Sequence, residues 1–209
     1  MKKLLILLLL MIFSVPAFGQ DENSEPVPYF AAGMALPLMP SEFSDLYIPG
    51  MHVGVGLDRP LRDNYFLNLD LHMSYHGLDK NAYRESRDLD WNIYNPLQGQ
   101  TALIYLTANF KWKFTTTPIG RPYVLAGAGP MVHRRAKIDI RAGDQFFETI
   151  SDENNFGLAF SVGLGFEFKA SKKYAIFFDS RMIFGTVKDN ITDMPIRAGF
   201  RFIPGTDKE

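Results

Sequence analysis

The feature that most restricts this chain is a period of two in its apolar residues, sustained for longer than most soluble strands run. Phe156–Phe168 reads FGLAFSVGLGFEF. On an extended strand, Phe156, Leu158, Phe160, Val162, Leu164, Phe166 and Phe168 fall on one side. Gly157, Ala159, Ser161, Gly163, Gly165 and Glu167 fall on the other, because strand side chains alternate between faces. Eight such segments follow one another: Pro28–Leu38, Met51–Asp58, Tyr65–Tyr75, Ala102–Phe114, Pro122–His133, Phe156–Lys169, Tyr174–Gly185 and Met194–Ile203. Most span ten to fourteen residues, whereas ordinary strands average about 5–6 and a tilted membrane-crossing strand needs about 9–11. No segment carries a 3.6-residue period, so an all-β chain with little helix is predicted.

The connections are sorted by length. Met39–Gly50, His76–Thr101 and Arg134–Asn155 are long, Thr186–Asp193 is intermediate, and Arg59–Asn64, Thr115–Arg121 and Ala170–Lys173 are short. Short turns therefore gather at one end of the strands and long loops at the other, the arrangement of barrels that cross an outer membrane. Ala136–Ile150 allows a further hairpin turning at Gly143-Asp144, which either extends strands five and six beyond the membrane or adds a ninth and tenth strand.

Residues 1–19 read as a secretory leader: Lys2 and Lys3, an apolar run from Leu4 to Phe13, then Ala17-Phe18-Gly19 with cleavage expected before Gln20. Pro16 cuts that run short of the roughly 20 apolar residues of a membrane-spanning helix. A short segment (20–27), one barrel domain (28–204) and a tail (205–209) are expected to follow. The chain has no cysteine, so neither a disulfide nor a lipid-bearing Cys enters the argument. A formal charge of −1 gives no electrostatic basis for nucleic-acid binding.

Alternation alone fits two cylinders, a soluble one with the oily face inside and a membrane one with it outside. Three observations favour the membrane. Tyr65, Trp112, Phe114, Tyr123, Phe166, Phe168, Tyr174, Phe200 and Phe202 are read as oily-face aromatics at the short-turn end, forming an interfacial girdle. Nine such rings would not fit in the floor of a narrow soluble barrel. Second, Gly54, Gly56, Gly127, Gly129, Gly163, Gly165 and Gly199 crowd strand interiors. Glycine weakens an exposed strand but makes room for long side chains inside a narrow cylinder. Third, the bare faces carry Asp70, Glu167 and Asp179 against Lys111, Arg181, Arg197 and Arg201. On lipid, an Arg or Lys at midplane costs about 2–4 kcal/mol; enclosed together, these groups can pair.

With the leader, the sorted loops, the eight patterned strands and the closing MPIRAGFRF (Met194–Phe202), the chain resembles the small outer-membrane β-barrel proteins. This is the family of the OmpA transmembrane domain and its porin-family relatives. The resemblance implies a single up-and-down antiparallel transmembrane β-barrel of eight strands, with long extracellular loops and short periplasmic turns, in the outer membrane of a Gram-negative bacterium. Phe202 is similar to the terminal aromatic read by the barrel-assembly machinery, although Ile203–Glu209 extend beyond it.

Function is less constrained, since architecture does not fix activity. The first expectation is a non-enzymatic protein, structural or partner-binding. Its expected partners are outer-membrane lipids, the assembly machinery during biogenesis, and an extracellular or envelope protein met by loops 76–101 and 134–155. A narrow pore or transport accessory is the alternative, followed by a lipid A-modifying enzyme and a soluble lipocalin-like binder. In an eight-stranded interior just wide enough for side chains, the seven enclosed charges read as a plug rather than a pathway. His72-x-Ser74, with His76 beyond, carries the enzyme reading, since a serine nucleophile needs a base and an orienting acid. The pair would point inward, away from lipid, so no catalytic residue is assigned. Asp144, Glu148, Asp152 and Glu153 lack the fixed spacing of a calcium loop. The four histidines suggest no zinc site, and no cofactor is expected. Trp91, Ile93, Tyr94 and Leu97 form either a partner-binding patch or a cap on the barrel mouth.

Overall fold

The computed structural model describes residues 25–88, 93–114, 120–143, 145–171, 173–188 and 190–203. The expected leader (1–19) and the tail (205–209) lie outside the described residues. Eight strands form a closed antiparallel barrel: β1 (Val27–Met39), β2 (Gly50–Arg62), β3 (Tyr65–His76), β5 (Thr101–Lys113), β6 (Arg121–Arg135), β9 (Glu153–Lys169), β10 (Tyr174–Gly185) and β11 (Thr192–Phe202). Each pairs with its neighbour in sequence, and β11 returns to pair with β1, from Tyr29 opposite Arg201 to Met39 opposite Thr192. The closed order leaves the barrel without a free edge.

The expected count of eight holds. The Ala136–Ile150 hairpin does form, as β7 (Ile138–Ala142) and β8 (Gln145–Ile150), but it enters neither the barrel nor an extension of its neighbours. It joins β4 (Tyr94–Gln98), a strand the sequence pattern does not announce, in a separate sheet of order β4-β7-β8. Two short helices complete the long-loop end, α1 (Ser41–Leu46) and α2 (Lys80–Ser86). The Asp79 carboxylate caps α2 by accepting from the Asn81 and Ala82 N–H groups. No helix among the described residues is long and apolar enough to cross a membrane.

The faces sort as the alternation requires. Phe156, Leu158, Phe160, Val162 and Leu164 of β9 are exposed on the outer wall, while Ala159 and Ser161 are buried within. Outward on the other strands stand Leu71, Ile104, Leu106, Phe110, Phe178, Ile196 and Phe200. At the short-turn end, Tyr65 stacks with Trp112 at 6.3 Å, Trp112 meets Phe114 at 4.6 Å, and Tyr174 meets Phe202 edge-on at 5.6 Å. Phe166 and Phe168 pair on the same wall.

One aromatic assigned to that wall belongs inside. Tyr123 is only 1% exposed, and its hydroxyl donates to Asp179 in the lumen. It shares odd parity with Gly127 and Gly129 on β6, whose outer face is instead Pro122, Val124, Ala126 and Ala128. A phenol needs a partner when buried, and here it also needs space. Gly165 supplies it, for a Cβ there would collide with the end of the Tyr123 ring, as one at Gly56 would with Tyr29.

β9 has 17 residues, about 56 Å of extended chain at ~3.3 Å per residue. Tilted by roughly 40°, it still rises about 43 Å, well past an apolar band of ~25 Å. The excess lies at the long-loop end, above which sit α1, α2 and the three-stranded sheet.

Candidate functional site

The barrel interior is organised in three tiers of polar side chains. In the lowest, Asp58 accepts from Lys111 Nζ at 2.9 Å, Arg201 Nη2 at 2.5 Å and Asn68 Nδ2 at 2.7 Å. Glu167 accepts from Lys113 Nζ at 2.8 Å and from Arg201 Nη1 at 2.8 Å. Arg201 thus bridges two carboxylates. Lys113 and Arg201 also lie over the Phe66 ring, and Lys111 over Tyr123, at 4.5, 5.3 and 4.2 Å.

In the middle tier Arg197 faces Asp179 across the β10–β11 ladder. Its Nε donates to Asp179 Oδ1 at 2.6 Å, and its Nη2 reaches Asp70 Oδ2 on β3 at 2.9 Å. Arg181 closes the ring, 2.6 Å from Asp70 and 3.4 Å from Asp179. Tyr29 and Tyr123 flank this tier, with Phe177 edge-on to Tyr29 at 5.5 Å.

The upper tier gathers His52, His72, Ser74, His76, Tyr105 and Asp193, all buried. Ser74 Oγ donates to Asp193 Oδ2 at 2.5 Å, Tyr105 donates to the same oxygen at 3.2 Å, and His76 Nε2 lies 3.3 Å from Asp193 Oδ1. His52 Nδ1 is 3.0 Å from Ser74 Oγ. The Ser74 proton is committed to the carboxylate, so His52 meets the hydroxyl as a donor. A nucleophilic serine needs the reverse, a base that takes its proton while an acid orients that base. Above the tier, Phe43 and Tyr47 of the α1 segment pack with Leu103, Tyr105, Met131, Ile183 and Ile191. They roof the mouth.

All seven charges expected on the bare face (Asp70, Lys111, Glu167, Asp179, Arg181, Arg197 and Arg201) therefore lie in the lumen within two connected tiers. The sequence reading missed Asp58, Lys113 and Asp193. Parity could have found each one. Asp58 follows Gly54 and Gly56 on β2, Lys113 follows Lys111 on β5, and Asp193 precedes Arg197 on β11. With them, five acids (Asp58, Asp70, Glu167, Asp179, Asp193) meet five bases (Lys111, Lys113, Arg181, Arg197, Arg201). β11 supplies a member to every tier: Arg201, Arg197 and Asp193.

The loop acids do not converge. Glu148 accepts from Arg87 at 2.9 Å, Glu153 pairs with Arg135 at 2.8 Å and with Lys188 at 3.3 Å, and Asp152 is exposed. Asp144 lies outside the described residues. No group of three or more His, Asp or Glu among the described residues could hold a metal ion. Of Trp91, Ile93, Tyr94 and Leu97, Tyr94 and Leu97 sit on β4, Ile93 is exposed, and Trp91 lies outside the described residues. Phe43 and Tyr47 cap the mouth. Tyr83 of α2 packs with Ile138 and Ile140, and with Tyr94 and Ile150 beside them, fastening the small sheet above the barrel.

Comparison with known proteins agrees with this architecture. Neisserial surface protein A (NspA) superposes with a TM-score of 0.54 at 15% identity, over 87% of this chain and 99% of that one. Ail, the attachment invasion locus protein of Yersinia pestis, in complex with the heparin analogue sucrose octasulfate, gives 0.50 at 12% identity, over 85% and 98%. Identities this low speak to fold alone. No curated protein matches the sequence. The sequence profile of the outer membrane protein β-barrel domain matches residues 5–202, and the chain belongs to that family.

Proposed function

We propose that this outer-membrane barrel is a non-enzymatic protein whose work is done at its extracellular end, as a structural and partner-binding element. It is exported through a leader cleaved before Gln20. The observation that carries the reading is the division of labour between wall and cap. Among the described residues, five acids and five bases of the lumen are tied in continuous networks under an apolar roof. The polar connections above it are built into a sheet and two helices that closing the barrel does not require. Eight strands leave room for side chains and little else, so the filled interior weighs against a pore. Ser74, buried beneath the roof with its hydroxyl donating to Asp193, weighs against a lipid-modifying enzyme. Outer-membrane lipids meet the wall, the assembly machinery reads β11 during biogenesis, and an extracellular or envelope protein meets loops 76–101 and 134–155.

Two measurements test this. Purified protein in planar lipid bilayers is expected to show no stable conductance, and a large, persistent one would overturn the closed lumen. Protease added to intact cells is expected to cut only within 76–101 and 134–155; cleavage in the short turns would invert the orientation.

A further inference from the structure

The two edges of the extracellular sheet are not alike. β4 is one edge and carries Pro96, a residue that blocks further strand pairing. β8 is the other edge, reads QFFETI, and pairs only with β7 among the described residues. Every second residue of an edge strand turns its N–H and C=O away from its neighbour, a ready template for another chain. Of the usual defences, β8 lacks proline and lysine. It has a bulge, since Ile140 pairs with Glu148 and Arg141 with Phe146, leaving Phe147 without an opposite. That bulge brings two consecutive rings to the surface, Phe146 at 62% and Phe147 at 58% exposure. On the barrel wall such rings meet lipid; these stand in the cap, where the surroundings are aqueous.

The chemistry beside the edge describes what fits it. Arg141 lies over the Phe146 ring at 4.2 Å. Among the described residues no carboxylate lies within ion-pair distance of it, and Asp139, two residues back on β7, is held by Lys137 and feels Arg141 less; Arg87, by contrast, is already engaged by Glu148. An apolar ring beside a guanidinium that makes no close ion pair among the described residues calls for an apolar residue and an acid in the incoming segment.

We propose that β8 is a strand-addition site: an extended segment of a partner protein, carrying an acidic and an apolar residue, pairs with the Gln145–Ile150 edge and extends the sheet. This names the partner class for the cap and rests on the reading of the cap as the working surface. Main-chain pairing gives such contacts their affinity, and side-chain pockets give them their specificity.

The test uses the full protein in nanodiscs, panned against a displayed library of random ten-residue peptides. Selected peptides should alternate apolar and polar positions, include an acid, and slow amide exchange at least tenfold within 145–150. N-methylation of alternate peptide backbone nitrogens on the pairing side should abolish binding. Phe146→Lys/Phe147→Lys should weaken it at least tenfold while heat-modifiable gel migration, which reports the folded barrel, stays unchanged. Peptides that protect α1 or α2 instead would leave the cap as a binding surface and overturn the β8 assignment. So would peptides that tolerate N-methylation, or self-association of the protein through β8. A library yielding no edge-dependent peptide overturns it too; the closed lumen is judged separately, by conductance.

Discussion

Replacing Arg197 with methionine separates a sealed lumen from a watery one by magnitude. Arg197 is buried and touches Asp179 at 2.6 and 3.2 Å and Asp70 at 2.9 Å. Without it, Arg181 alone must serve both carboxylates, at 2.6 and 3.4 Å, and the tier carries a surplus negative charge. Removing one partner from a desolvated ion pair costs about 3–5 kcal/mol, because the orphaned charge stays buried. Were the lumen filled with water, each pair would be worth about 0–1 kcal/mol and would weaken with salt. The two lost partnerships would then sum to under about 2 kcal/mol. The assay is urea unfolding in phospholipid vesicles, followed by tryptophan fluorescence and by unboiled gel migration, at low and high salt. Arg197→Met is expected to lose about 3–5 kcal/mol with little salt dependence. Adding Asp70→Asn restores neutrality and should recover part of the loss, a coupling of about 1–3 kcal/mol. A loss below about 2 kcal/mol that shrinks further in salt would refute the sealed network.

Three further outcomes follow from the same geometry. Tyr123→Phe removes a hydrogen bond to the Asp179 carboxylate and should cost about 1.5–3 kcal/mol, whereas a lipid-facing ring would lose almost nothing; vesicle unfolding decides. Ser74→Ala should leave the mass spectrum of cellular lipid A unchanged, and any acyl loss that depends on Ser74 would reinstate the enzyme. Outside the membrane, the hydrogen bonds from Lys137 and Thr149 hold the Asp139 carboxyl below its ordinary pKa. A depressed carboxylate stabilises the fold above its unfolded pKa of about 4 and loses that contribution as pH falls through the folded value. Amide protection of β7 and β8 should therefore be unaffected by mild acidification and decline below about pH 4, the decline vanishing in Asp139→Asn.

Most of the wall was legible because it rests on one rule. A strand with lipid on one side and packed charges on the other must alternate, so Leu67–Met73 or Phe156–Phe168 disclose their facing without any tertiary knowledge. The same rule, applied strictly, corrects the lapse at Tyr123, whose parity with Gly127 places it inside whatever its ring suggests. Other features have no local signature. β4 is five residues long and contains a proline, and it becomes a strand only because β7 offers it a partner. Phe43 and Tyr47 stand among Ser, Glu, Asp and Pro; their burial depends on the width of the mouth below. The upper tier joins residues 119 positions apart in Ser74 and Asp193, a contact that follows only from closing the cylinder.

That β11 reaches all three tiers bears on biogenesis. Until the eighth wall strand docks, the other seven hold Asp58, Asp70, Glu167 and Asp179 against Lys111, Lys113 and Arg181, one negative charge in excess. Its Arg197, Arg201 and Asp193 bring the missing positive charge in the same motion that seals the seam with β1. An unfinished cylinder carries two liabilities together, bare strand edges and an uncompensated lumen charge, and the docking of β11 removes both in one step.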